Sequence, residues 1–223
     1  MATAVLDRPT EKTEEPATPA LEKLGAGEVA ALVLQALEKQ DVILLASDEP
    51  RALEIVRALQ GGAPDKTIVF CPSSDALPGD SAPPSPANVG QRTAALRRLR
   101  AVRQEQGRAP VALVSTGEAA GRLYPPPDRF DAAPPLVRVG APIDLEDFAR
   151  ELEGIGYVPD DRVDEPGEVA LRGQVIDVYP ADAGCPYRIE AQDGAVVTIR
   201  PYDAATQLTT GECEELELGR VQE

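Results

Sequence analysis

Two proline clusters, Pro125-Pro126-Pro127 and Pro134-Pro135, divide the chain into parts of different texture. Proline fixes φ and donates no backbone N–H, so neither a helix interior nor a central strand passes through such a zone. Ahead of it, apolar runs alternate with helical patterns. "PALEKLGAGEVAALVLQALEKQ" sets Val29, Leu32, Val33, Ala36 and Leu37 at helical spacing. "DVILLAS" follows as a short buried strand. "DEPRALEIVRALQGG" is a helix with Asp48 as cap, Pro50 in its first turn and Gly61-Gly62 at its end. "KTIVFCPS" is a second buried strand, "VGQRTAALRRLRAVRQEQG" a helix and "PVALVST" a third strand. That alternation predicts parallel pairing in a small open α/β sheet over residues 21–135.

Behind the prolines, "DLEDFARELEGIG" is an acidic helix with Leu145, Phe148, Leu152 and Ile155 on one stripe. Short β-rich runs follow, "EVALRGQVIDVYP", "PYRIEA" and "AVVTIRPYD", with tight turns at Ala183-Gly184 and Asp193-Gly194. Residues 136–223 therefore predict a small α+β domain of one helix, about four antiparallel strands and a C-terminal strand. The fold class is α/β with this smaller domain attached. Residues 1–20 read as a polar, disordered lead without the apolar core of a signal peptide. That self-contained start and the "GRVQE" end suggest a complete short chain, the alternative being a fragment of a longer protein.

Charge separates the same two parts. The net charge is −16, of which residues 21–135 carry −1, residues 136–210 carry −9 and residues 211–223 carry −4. An acidic surface repels a phosphate backbone, so direct DNA binding is not expected of the second part, and a protein partner with a basic surface is. The chain has no histidine, which removes the commonest metal ligand and general base. Cys71, Cys185 and Cys213 are odd in number and far apart, favouring reduced thiols of a cytoplasmic protein over disulfides or zinc. "VILLA" and the other apolar runs are too short to span a bilayer.

Residue chemistry narrows the candidate sites. The turn after "VILLA" is "SDEPRAL", without the Gly-rich cradle and lysine that bind a triphosphate; Asp48 and Glu49 would repel one. ATP is not expected, nor any other cofactor or metal. Ser73 and Ser74 have no histidine to activate them, and the pairs Asp160-Asp161 and Glu214-Glu215 lack a third ligand, so no enzyme activity is expected. Arg92, Arg97, Arg98, Arg100 and Arg103 form the one basic cluster. They are either a phosphate-tracking or acid-docking face, or a helix face offsetting the acidic part by packing against it. The absence of interleaved aromatics favours the second. Arg188 and Glu190 stand two apart on "YRIE" and share a strand face, while Arg172 projects from a hairpin. Such a patch can orient a partner, or merely discourage edge-to-edge aggregation.

Two stretches resemble a known family. "FCPSSDALPGDSAPPSPANVGQRTAALRRL" is similar to the segment after the second strand of the transcription-repair coupling factor Mfd, with the skeleton Leu77-Pro78, Asp80, Pro84, Arg92 and Leu96. "GYVPDDRVDEPGEVALRGQVIDVYPADAGCPYRIE" resembles the second domain of Mfd and of the excision-repair protein UvrB, and "TIRPYDAATQLT" the strand that follows. The resemblance spans about residues 28 to 218. It implies a truncated RecA-like first domain with a degenerate nucleotide site, and a second domain that docks onto UvrA. By the same resemblance Arg172, Arg188 and Glu190 carry that contact. Ala191 and Gln192 stand where the family usually has aromatics, and neither motor domains nor a module for gripping RNA polymerase follow, so no polymerase contact is expected. Two rival readings are a nucleic-acid-binding protein using the Arg92–Arg103 helix, and an interaction protein that has lost UvrA.

Overall fold

The structure, a computed structural model, describes residues 21–222 apart from 77, 78, 80 and 81. The polar lead 1–20, and Leu77, Pro78 and Asp80 of the family skeleton, lie outside the described residues.

After one 3-10 turn (Leu21–Lys23), the first lobe alternates helix and strand: α1 (Ala26–Leu37), β1 (Val42–Ala46), α2 (Glu49–Gly62), β2 (Thr67–Phe70), α3 (Pro86–Gln104), β3 (Val111–Thr116) and the short α4 (Gly117–Gly121). Local chemistry sets the starts. Asp48 accepts a hydrogen bond from the Arg51 amide at 2.8 Å and Ser85 one from the Asn88 amide at 3.3 Å, satisfying first-turn donors. The three strands pair in parallel in the order β1-β3-β2. On one face Leu44, Ile68, Ala112 and Val114 pack against α1 and α2. On the other, α3 lays Ala95, Leu99 and Val102 over Val69, Cys71 and Val111.

The expectation of a buried first strand needs correction. β1 buries Leu44, but Ile43 is 70% and Leu45 52% exposed. The reason is topological: β1 lies at the sheet edge, and α3 covers only β2 and β3 on that side. Leu32, expected on the buried stripe of α1, is also exposed.

The second lobe holds β4 (Leu136–Arg138), α5 (Leu145–Gly154), β5 (Val158–Pro159), β6 (Glu168–Arg172), β7 (Val175–Val178), β8 (Tyr187–Gln192), β9 (Ala195–Pro201) and β10 (Glu215–Glu217). The expected antiparallel strands are β6 to β9, in sequential order, and β5 joins β6 in parallel at the edge. β4 and β10 form a separate antiparallel ribbon. The hairpin turn between β8 and β9 sets Asp193 at φ 53 and Gly194 at φ 76, as a tight right-twisted connection requires. The core gathers Phe148 and Leu152 of α5 under Ile176, Val178, Ile189 and Ile199 of the sheet.

α3 also joins the lobes. Gly90 lies so near Ala181 that a Cβ there would sit 2.1 Å from the Ala181 Cβ. Pro86 reaches Gly167 of the second lobe, and Arg97 forms an ion pair with Glu217. Among the described residues no helix is long and apolar enough to cross a membrane.

Candidate protein-interaction surface

The candidate face is the side of the five-stranded sheet turned away from α5. Side chains alternate along each strand, so Ile176 and Val178 enter the core while Asp177 points to the opposite face. Pairing places Asp177 directly across from Ala170 on one side and Arg188 on the other. Val175 lies across from Arg172 and from Glu190, which puts all three predicted residues on the same face.

A carboxylate only 2% exposed needs close hydrogen-bonding partners in place of the water it has lost. Asp177 has two. Arg188 donates from Nε to Oδ1 at 2.7 Å and from Nη2 to Oδ2 at 2.8 Å, the forked geometry that fits guanidinium to carboxylate. Arg172 donates from Nη1 to Oδ2 at 3.2 Å. The Asp177 hydrogen bonds raise the Arg188 pKa further above its ordinary value. The Arg188 guanidinium also lies 4.9 Å from the ring centroid of Tyr202, within cation–π range. Tyr202 is fully buried and donates its hydroxyl to the Val163 carbonyl at 3.0 Å; burial pushes its pKa up.

Glu190 belongs to an adjoining set. Arg200 donates from Nη1 to Glu190 Oε1 at 3.4 Å and from Nε to Glu212 Oε1 at 3.3 Å. The face therefore reads Arg172–Asp177–Arg188 beside Glu190–Arg200–Glu212. Sequence reasoning missed Asp177, Arg200 and Tyr202. The signal for Asp177 was present: an acidic residue inside "VIDV" alternates with two core positions. The Arg172 side chain, at 51%, is the most exposed of the three predicted residues, against 27% for Arg188. Two guanidiniums share one buried carboxylate, and across the two sets three arginines balance three carboxylates.

The five helix arginines are not brought together as one face. Arg92 is fully buried, donating to the Ser73 carbonyl at 3.3 Å and to Asn88 Oδ1. Arg97 is held by Glu217, and Arg100 by Asp131 at 2.6 and 3.1 Å. Arg98 and Arg103 are exposed.

The other candidates are dispersed. Asp160 accepts from the Arg162 amide at 2.9 Å, and Glu215 pairs with Arg138 at 3.0 Å. Among the described residues there is no group of three His, Cys, Asp or Glu placed to hold a metal. At the C-terminal ends of the parallel strands, where open α/β sheets bind ligands, two backbone donors after β2 are engaged internally. Glu49 accepts from the Ser73 amide and Glu118 from the Ser74 amide, each at 3.0 Å. The Ser73 and Thr116 hydroxyls pair at 2.7 Å.

Residues 136–222 match the family described as the UvrB interaction domain. The transcription-repair-coupling factor of Bacillus subtilis (strain 168) is 28% identical over 182 residues, covering 82% of this chain and 15% of that protein. That of Haemophilus influenzae is 25% identical over 191 residues, covering 84% and 16%. That of Staphylococcus haemolyticus is 40% identical over 82 residues, covering 37% and 7%. The chain thus spans less than a fifth of the length of these relatives. A sheet face built around a buried Asp177 and its two arginines lies within the matched segment: residues 136–222 match the UvrB interaction domain family, in a chain similar to transcription-repair-coupling factors over most of its length.

Proposed function

We propose that this chain is a non-catalytic docking module that binds UvrA through the charged face of residues 136–222 and works in nucleotide excision repair in the cytoplasm. The observation that carries the reading is Arg172. Asp177 holds one of its nitrogens from beneath, and half of the side chain faces solvent at the corner of the β6–β7 hairpin. A positioned guanidinium with donors to spare is suited to an acidic group on a partner. Arg188 supports it from behind by fixing Asp177, and Glu190 supplies an acceptor on the same face.

A module of this kind competes with UvrB for UvrA and so adjusts repair. The absence of catalysis is argued from chemistry: Ser73 and Ser74 lack an activating base, and the turn after β1 carries Asp48 and Glu49 where a phosphate loop carries glycines and a lysine. The test is titration calorimetry against purified UvrA, with Arg172→Ala alongside. Binding by the native chain that the variant weakens at least tenfold supports the reading. No binding by a folded sample refutes it, and favours an interaction protein that has lost UvrA.

A further inference from the structure

Arg188 and Arg200 stand directly opposite each other on β8 and β9. Like charges in that position repel, and the face neutralises the two separately. Arg188 is held by Asp177 on the β7 side. Arg200 is held by Glu190 at 3.4 Å and by Glu212 at 3.3 Å, the second reaching in from the segment beside β9. The balanced total therefore conceals a polarity. Toward β6 and β7, two arginines surround one carboxylate; toward the β9 edge, two carboxylates surround one arginine.

Each half exposes one charge. Arg172 is 51% exposed at the β6–β7 corner and Glu212 is 76% exposed beyond β9, with β7, β8 and β9 between them. The backbone around Glu212 is fixed: the Thr210 amide donates to the Pro201 carbonyl at 2.8 Å and the Cys213 amide to the Ile199 carbonyl at 2.9 Å. The Glu212 carboxylate is held loosely by comparison. Its Oε1 meets Arg200 Nε at 3.3 Å, longer than a usual N–H···O bond, and so exposed a pair adds little to folding. A fixed backbone carrying a loosely held carboxylate is suited to a donor from outside. All these residues lie in the segment 136–222 that matches the UvrB interaction domain.

On the reading that this face docks UvrA, we infer that Glu212 is a second contact of opposite sign to Arg172, taking a lysine or arginine of the partner while Arg172 takes a carboxylate. A partner surface with that order of charges seats in one register. Turned around, it sets like charge against like, so the two ends together select orientation. The charge of the lobe favours the same contact: residues 136–210 carry −9 and residues 211–223 carry −4, which draws a basic group toward this end.

The test is titration calorimetry of the whole chain against purified UvrA at ~0.1 M and ~0.5 M salt, where screening of exposed charges differs strongly. Glu212→Gln is expected to weaken binding about threefold and Glu212→Lys about tenfold at the lower salt, both losses shrinking at the higher. Melting temperatures should stay close to native, since Glu212 is exposed. Glu153→Lys makes the same change of charge at an exposed position of α5, on the other side of the sheet, and is expected to bind like the native chain. Arg172→Ala reports on the docking face itself. If that variant loses affinity while both Glu212 variants match the native chain, the docking face stands and the second contact is overturned. Equal losses from Glu212→Lys and Glu153→Lys, or losses indifferent to salt, overturn it as well. A folded native chain that does not bind overturns the docking reading, and this inference with it.

Discussion

Arg188 grips Asp177 across the β7–β8 ladder with two hydrogen bonds of 2.7 and 2.8 Å. Asp177 thereby anchors both Arg188 and Arg172 on this face. Replacing Asp177 with Ala strands two guanidiniums above a buried methyl. Full loss of one partner from a buried pair costs roughly 3–5 kcal/mol, but Arg188 is partly exposed and can rehydrate, so about 2–3 kcal/mol is expected. Urea unfolding of the variant measures it. An unchanged midpoint would show that the pair contributes nothing net.

Arg172 should separate binding from stability. Its side chain is half exposed and makes one hydrogen bond to Asp177, so Arg172→Ala costs about 0–1 kcal/mol of folding. The same change is expected to weaken UvrA binding at least tenfold. Arg172→Lys keeps the charge without the forked donors, so an intermediate affinity is expected from calorimetry. Equal affinities for all three proteins would rule out the hairpin arginine as a contact.

Gly90 is expected to tolerate no side chain. In an exposed helix, Gly→Ala gains up to ~1 kcal/mol. Here the new methyl would meet the Ala181 Cβ at 2.1 Å and backbone atoms of Ala181 at 3.2 Å. Overpacking of this kind costs about 1–3 kcal/mol, so Gly90→Ala should be net destabilising. Adding Ala181→Gly should recover part of the loss. Thermal melts of the single and double variants decide whether the lobes press together at this point.

Asp182 gives a pH dependence of definite sign. Burial raises its folded pKa above the ordinary 3.8, its backbone hydrogen bond and Arg97 oppose the rise, and Glu217 adds to it. A carboxyl that holds its proton more tightly when folded favours folding as pH falls through the folded pKa, and penalises it once ionised in both states. Asp182→Asn should therefore raise the melting temperature at neutral pH, with the advantage shrinking as pH falls toward 3.8. A difference independent of pH would mean that the gain comes from packing.

The turn after β1 predicts indifference to nucleotide. With Asp48 and Glu49 in it and neither a glycine cradle nor a lysine, millimolar Mg-ATP should leave the melting curve unmoved. A rise in melting temperature on adding ATP would show a phosphate site despite the carboxylates.

Local chemistry made much of this fold legible. The Asp48 cap and the Asp193-Gly194 turn depend on residues a few positions apart, and both are formed as read. Features created by pairing were not legible. β5 is two residues long and exists only because β6 lies beside it; β4 finds β10 with Arg138 and Glu215 standing 77 positions apart. The charged face was half legible for the same reason. Alternation on "YRIE" put Arg188 and Glu190 on one side, but only cross-strand alignment reveals that Asp177 sits between the arginines. An apolar run such as "VILLA" likewise marks a strand without saying how many of its faces are covered.

The close approach of Gly90 to Ala181 has a mechanical meaning. α3 supplies Ala95, Leu99 and Val102 to the core beneath β2 and β3, while its Gly90 touches Ala181, a member of the other core. One rigid rod is thus shared by two bodies that the prolines separate in sequence. Force applied at the Arg172 corner has a stiff path through the second core into the first sheet. A cut at the prolines would sever the chain but leave that splint in place, so the boundary written in the sequence is not the plane along which the protein comes apart.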